Sequence, residues 1–143
     1  MTKASRFFLD ANILFSAAYS PEGRSAALFG LARKRHCRLI TSQFAIEEAR
    51  RNLTEKRPDS IQTLSDLLNW VHVVREADAK KTAQAQATGL DRDDVPILAA
   101  AVGCTEYLVT GDRMHFGRWI GKDLLGVRIL SLADAVALVI VEE

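Results

Sequence analysis

Cysteine is scarce, neither sign of charge is in excess, and no apolar run reaches the length of a membrane span. Each shortage closes a class of function. Cys37 and Cys104 are the only cysteines in 143 residues, with no CxxC pair and no histidine at metal-ligand spacing. A disulfide framework or a zinc centre is therefore not expected, and a reducing cytoplasm is the default compartment. Lys and Arg number 19 against 18 Asp and Glu, so no global field draws the protein toward nucleic acid or an anionic membrane, and any such attraction has to be local. Two segments imitate membrane signals. In the N-terminal "FFLDANILFSAAYS", Asp10 would enter lipid at a cost of about 2.5 to 3.5 kcal/mol on insertion scales. The C-terminal "LADAVALVIVEE" falls short of the roughly 20 apolar residues a span needs, and it carries Asp134. Internal repeats, low-complexity tracts and linkers are also missing. With 48% hydrophobic and 26% charged residues, the composition fits one globular domain over residues 1–143 with a sizeable core.

What is present alternates. "RFFL", "CRLI", "VHVV", "EYLV" and "VRIL" read as about five strands of the buried type, with little polar alternation. Between them, "SAALFGLARKR", "SQFAIEEARRNL", "DSIQTLSDLLNW", "DAKKTAQAQA", "DVPILAAAV" and "SLADAVALVIV" carry helical patterns. Strands alternating with helices imply an α/β fold with a parallel sheet covered on both faces. In such sheets ligands bind beyond the carboxyl ends of the strands, where the strand order reverses.

Asp10 closes the first strand. Asp112 follows "YLV" after the turn residues Thr110 and Gly111, so two aspartates at two strand ends share one expected crevice. In "SQFAIEEARRNL", at about 100° per residue, Ala45, Ile46, Ala49 and Leu53 form the apolar stripe. Glu48 lies at its border, while Glu47 points away, toward Arg50 and Arg51. In "GLDRDDVPILAAAV", Pro96 marks the first turn of a helix. Asp94 shares the inward face of Ile97 and Leu98, Asp93 is placed as the N-cap, and Asp91 as a turn residue. Taken singly, each acid has a plain structural explanation: Asp10 and Asp94 as caps, Glu48 as a residue at the core's edge, Asp112 as a turn residue. Taken jointly, they crowd charge. Two like charges about 4 Å apart repel by about 4 kcal/mol at an effective dielectric near 20, a large share of a domain's roughly 5 to 15 kcal/mol of stability. Protonation or a cation must relieve it. A nest of oxygen ligands without His or Cys selects Mg²⁺ or Mn²⁺, whose natural chemistry is hydrolysis of a phosphodiester.

"FLDANILFSA", "LITSQFAIEEARRNL", "DRDDVPILAAAVGCTEYLVTGDRMHF" and "GVRILSLADAV", in that order, resemble the PIN-domain ribonucleases, including the VapC-type toxins of bacterial toxin–antitoxin pairs. The resemblance implies a three-layer α/β/α sandwich and a negatively charged pocket in which Asp10, Glu48, Asp94 and Asp112 coordinate one or two Mg²⁺ or Mn²⁺ ions for endonucleolytic cleavage of RNA. It also implies supporting polar contacts from Asn12 and Thr110, and it places Ser42 at the start of the helix bearing Glu48, where an N-cap role suffices. A small antitoxin that covers the pocket and a homodimer follow from the same resemblance. Ala11 departs from the many members that carry Thr there, so the hydroxyl contact of those members is absent. The segment "MHFGRWIGKDLLG" is longer and more aromatic than in the sparsest members.

Arg113, His115, Arg118 and Lys122, interleaved with Phe116 and Trp119, combine phosphate-binding cations with rings that either stack on bases or anchor the loop in the core. This stretch is the expected RNA contact. "ARKRHCR", Ala32 to Arg38, is a second cationic stretch, mostly explained by cations complementing the dipole at a helix end. His115 suits acid–base work, but no second His or paired Lys stands at a matching place, so it is given a loop or substrate-side role. Two other readings stay open at this level: a non-catalytic nucleic-acid-binding module of the same fold, and a phosphoacceptor or phosphatase fold using a strand-end aspartate. A haloacid-dehalogenase-like phosphatase expects a second Asp where Asn12 stands, and both phosphoacceptor types expect a Lys after a later strand.

Overall fold

The five expected segments form parallel strands, and inside the sheet their apolar side chains are mostly buried on both faces, leaving little solvated side to impose alternation; Val71–Val74, at the sheet's edge, leaves His72 and Val73 exposed. Phe7, Phe8 and Leu9 are fully buried in β1 (Ser5–Leu9). The structure is a computed structural model and describes residues 4–111 and 116–142. Beside β1, the parallel strands are β2 (Cys37–Ser42), β3 (Val71–Val74), β4 (Tyr107–Thr110) and β6 (Val127–Ser131). A sixth strand, β5 (Asp123–Leu124), pairs antiparallel with β6. It is too short to show a period in the sequence. Leu125 and Gly126, which join the two, both take positive φ, at 52° and 83°, the geometry of a two-residue hairpin turn.

Strand order across the sheet is β3-β2-β1-β4-β6-β5. The chain therefore steps from β1 outward to β3 and returns on the other side of β1 as β4. The carboxyl ends of β1 and β4 flank the switch point, where an open α/β sheet offers its crevice.

The sheet is flanked by α1 (Ala11–Tyr19), α2 (Arg24–Arg33), α3 (Gln43–Lys56), α4 (Ile61–Leu67), α5 (Ala79–Gln86), α6 (Val95–Ala101) and α7 (Leu132–Glu142). The expected helices are all there, with "DSIQTLSDLLNW" divided into a 3₁₀ turn at Pro58–Ser60, α4, and a second 3₁₀ turn at Leu68–Trp70. Helix α1 is an addition. Ala11, Ile13, Leu14, Ala17 and Ala18 are buried where α1 packs against α2, α3 and α4. With so little polar surface, its sequence reads as a core run and not as an amphipathic helix. One cap is corrected. Asp94, not Asp93, is the N-cap residue of α6, and Asp93 is exposed. The Asp91 carboxylate accepts from the Asp93 N–H at 3.1 Å, which makes Asp91 the turn residue expected. Among the described residues no helix is long and apolar enough to cross a membrane.

Candidate active site

The strand-to-helix junction after β1 turns on one residue. Asp10 is buried, with 4% of its surface exposed, and as N-cap of α1 its Oδ1 accepts from the Ala11 N–H at 2.7 Å. Its Oδ2 accepts from the Thr110 hydroxyl at 2.8 Å. Thr110 is itself buried at the end of β4. A bond from the Asp10 N–H to the Val109 carbonyl at 3.1 Å ties the two strand ends through the backbone. In the first turn of α1, Asn12 Oδ1 accepts from the Gly111 N–H at 3.0 Å. The chain leaving β4 toward Asp112 is thus held to the first turn of α1, and Asp10 is oriented from both sides.

Helix α3 supplies the next acid. Ser42, fully buried, caps it by accepting from the Ala45 N–H at 3.3 Å, and Thr41 donates to the Leu9 carbonyl at 2.9 Å, fixing the helix start beside the end of β1. Ala45, Ile46, Ala49 and Leu53 are buried and Glu48 is half-buried at the edge of that stripe. Burial pushes the Glu48 carboxyl above its ordinary value, the negative charges of Asp10 and Asp93 push the same way, and Arg51 works against them. Glu48 and Asp10 therefore feel one another across the crevice. Arg51 and Asp93 were assigned elsewhere by the sequence, the first to the Glu47 side and the second to a cap; the "DRDD" cluster was the only hint of the second.

Asp94 is 6% exposed at the start of α6. Its carboxylate makes no capping bond to the helix. Helix α6 packs against α3, β2 and β4, the elements that carry Glu48, Ser42 and Thr110. Among the described residues, no three His, Cys, Asp or Glu side chains stand together at metal-holding distances. Asp112, Arg113 and His115 lie outside the described residues.

The segment after them is partly anchored. Phe116 is fully buried, so it is a core residue and not a stacking ring. Trp119 packs against the core, with the Arg118 guanidinium 4.9 Å from its ring centroid. Arg118 also donates to the Gly89 carbonyl at 3.4 Å, linking this segment to the loop that leads into Asp94. Lys122 is exposed at the edge of the β5–β6 hairpin.

A family model described as PIN domain matches residues 6–114. No curated protein matches the sequence. Among solved structures, the chain is similar to VapBC from Salmonella typhimurium bound to DNA, at 17% identity and a TM-score of 0.68 over 90% of this chain and 98% of that one. It is also similar to VapBC2 from Rickettsia felis bound to a promoter DNA fragment, at 18% identity and a TM-score of 0.63, covering 88% of this chain and 98% of that one. A protein of Pyrobaculum aerophilum aligns at 18% identity and a TM-score of 0.64 over 99% of this chain and 94% of that one. At these identities the structural likeness is one of fold.

Proposed function

The chain belongs to the PIN-domain family, a family of nucleases, and from that premise we propose that it is a divalent-metal-dependent endoribonuclease acting as the toxin of a cytoplasmic toxin–antitoxin pair. The observation that carries this reading is the pair of acids at the switch point: Asp10, held by Ala11 and Thr110, and Glu48, raised by burial and by the charge of Asp10. Carboxylate crowding of this kind stabilises nothing by itself. It suits a cation, and oxygen donors select a hard one, Mg²⁺ or Mn²⁺. Asp10, Glu48, Asp94 and Asp112 are the residues that would hold it.

When bound, such an ion lowers the pKa of water for attack on phosphorus and steadies charge on the leaving oxygen. The protein's own share is positioning. Each Asp10 oxygen accepts a bond from the protein, so its direction is set before any ligand arrives. Asn12, through Gly111, fixes the backbone at the residue that precedes Asp112. Glu48 has the most exposure to solvent of the three described acids, and burial raises its carboxyl above the ordinary value, so protons compete with the ion there. Arg113, His115, Arg118 and Lys122 are the proposed phosphate and substrate contacts. A small antitoxin is the proposed protein partner, since two of the similar structures are VapBC complexes, and two copies of the chain are proposed to associate. The test is cleavage of end-labelled RNA with Mg²⁺ or Mn²⁺, with EDTA, and with the Asp10→Asn variant. Cleavage only by wild type with metal supports the reading, and cleavage unaffected by EDTA or by Asp10→Asn rejects it.

A further inference from the structure

The acids occupy the carboxyl ends of the strands; at the opposite end of the sheet the charge reverses. A cleft of about 780 Å³ opens there and continues along β3 to Val74, lined by Arg6, Arg35, Arg38, His72, Trp70 and Cys104 among others, and among the described residues no acidic side chain lines it. Arg6 and Arg38 are register partners on adjacent strands, an arrangement of like charges that a sheet does not favour. Glu106 pairs with Arg6 at 3.2 Å. Among the described residues no salt bridge engages Arg35 or Arg38. With a net charge of only +1 over the chain, this concentration of cations is a local feature and not a consequence of composition.

Two further observations point to a ligand. Arg35 follows α2 in the left-handed region, with φ of 65°, where the Arg35 and His36 N–H groups bond back to the Ala32 and Leu31 carbonyls at 2.9 and 3.0 Å. Glycine is the residue that suits this helix-ending position. An arginine there carries a conformational cost that the fold does not require, and its guanidinium lines the cleft. Trp70, in turn, is 49% exposed, with the Arg33 guanidinium 5.5 Å from its ring centroid. A large ring left half in solvent among cations has a face to offer a second planar group.

We propose that this cleft is a second RNA-binding site, remote from the acids, in which Arg35 and Arg38 take backbone phosphates and Trp70 stacks on a base of a single-stranded segment. Cations alone would serve an acidic peptide equally well; the exposed indole beside them is what a base uses and a carboxylate does not. The inference rests on the ribonuclease reading and extends it. The cleft grips RNA away from the scissile bond and so selects substrates long enough to reach both ends of the sheet.

The experiment measures the affinity of a labelled single-stranded RNA for the full chain in EDTA, across a salt series, with Arg35→Gly, Arg38→Gln and Trp70→Ala. Trp70→Ala is expected to weaken binding about tenfold. Each arginine variant is expected to lower the slope of log affinity against log salt by about 0.7. Arg35→Gly, relieved of its left-handed strain, should melt no lower than wild type, which separates lost contact from lost fold. Wild-type affinity and salt slope in all three variants overturn the proposal, as does loss of polyglutamate binding with RNA binding intact. Should wild type fail to cleave RNA while the three variants lose affinity, the cleft stands and the ribonuclease reading falls. Metal-dependent cleavage with unchanged binding in the variants has the opposite meaning.

Discussion

Glu48→Gln should stabilise the metal-free protein at neutral pH. Glutamine keeps the shape and the helix propensity of the side chain and removes only the charge. In the fold that charge is penalised first by burial and then by the charges of Asp10 and Asp93, with the weaker pull of Arg51 working against them. As a scale, any like-charge pair about 6 Å apart costs about 0.7 kcal/mol in water and about 2.8 kcal/mol at a dielectric near 20. Glu48 is only partly buried, which keeps the net near the lower end, about 0.7 to 1.5 kcal/mol, or about 2 to 5 °C in Tm for a chain of this size. The sign follows from the raised carboxyl. The folded state holds the Glu48 proton more tightly than the unfolded chain, so this contribution to stability is complete below the unfolded pKa of about 4.3 and is lost as pH rises through the folded value. The assay is thermal unfolding in EDTA at pH 7.5 and pH 4. The variant should melt above wild type at pH 7.5 and level with it at pH 4, and added Mn²⁺ should raise wild type more than the variant. A variant that melts lower at pH 7.5, or differs equally at both pH values, refutes the crowded-carboxylate reasoning.

Asp10→Asn retains an oxygen to accept the Ala11 N–H, so it should abolish cleavage with little change in Tm, whereas Asp10→Ala also loses the cap and should cost about 1 kcal/mol; melting curves beside a cleavage assay separate the two. Thr110→Val withdraws the hydroxyl from the buried Asp10 carboxylate and should cost about 1 to 3 kcal/mol together with cleavage, and Thr110→Ser should restore both; a valine variant that melts and cleaves like wild type contradicts the positioning role of Thr110. Leu125→Asn replaces an exposed leucine at φ 52° by a residue at home in that turn and should add about 1 kcal/mol by chemical denaturation, with no gain counting against the turn assignment.

The sheet was legible because burial inside it leaves a plain mark: five short segments dominated by apolar residues, set between helical patterns. Asp10 and Glu48 were legible for related reasons, one from where a parallel strand must end and one from an angle on a helical wheel. Helix α1 was not. Its residues between Ala11 and Ala18 are nearly all apolar, and a helix wedged among three others loses the polar face by which helices are recognised. The start of α6 slipped by one residue because "DRDD" offers adjacent aspartates with equal claim to the cap, and tertiary packing, which buries Asp94 and exposes Asp93, decides between them. The bonds from Thr110 to Asp10 and from Gly111 to Asn12 span 100 and 99 positions. No local pattern encodes such pairs; Thr110 and Asn12 were suggested by family resemblance alone. The cleft at the other end of the sheet was half visible in "ARKRHCR", but Arg6, Trp70 and His72 join it only through strand pairing.

The most direct measurement is Mn²⁺ binding at neutral pH, by calorimetry or by the loss of the free-ion resonance, to wild type and to Asp10→Asn, Glu48→Gln, Asp94→Asn and Asp112→Asn. One set of saturable sites in wild type, weakened tenfold or more by each of the four substitutions, is the result expected if the four carboxylates converge on one ion pocket. Wild type that binds no Mn²⁺, or any one of the four variants binding it as tightly as wild type, contradicts that convergence.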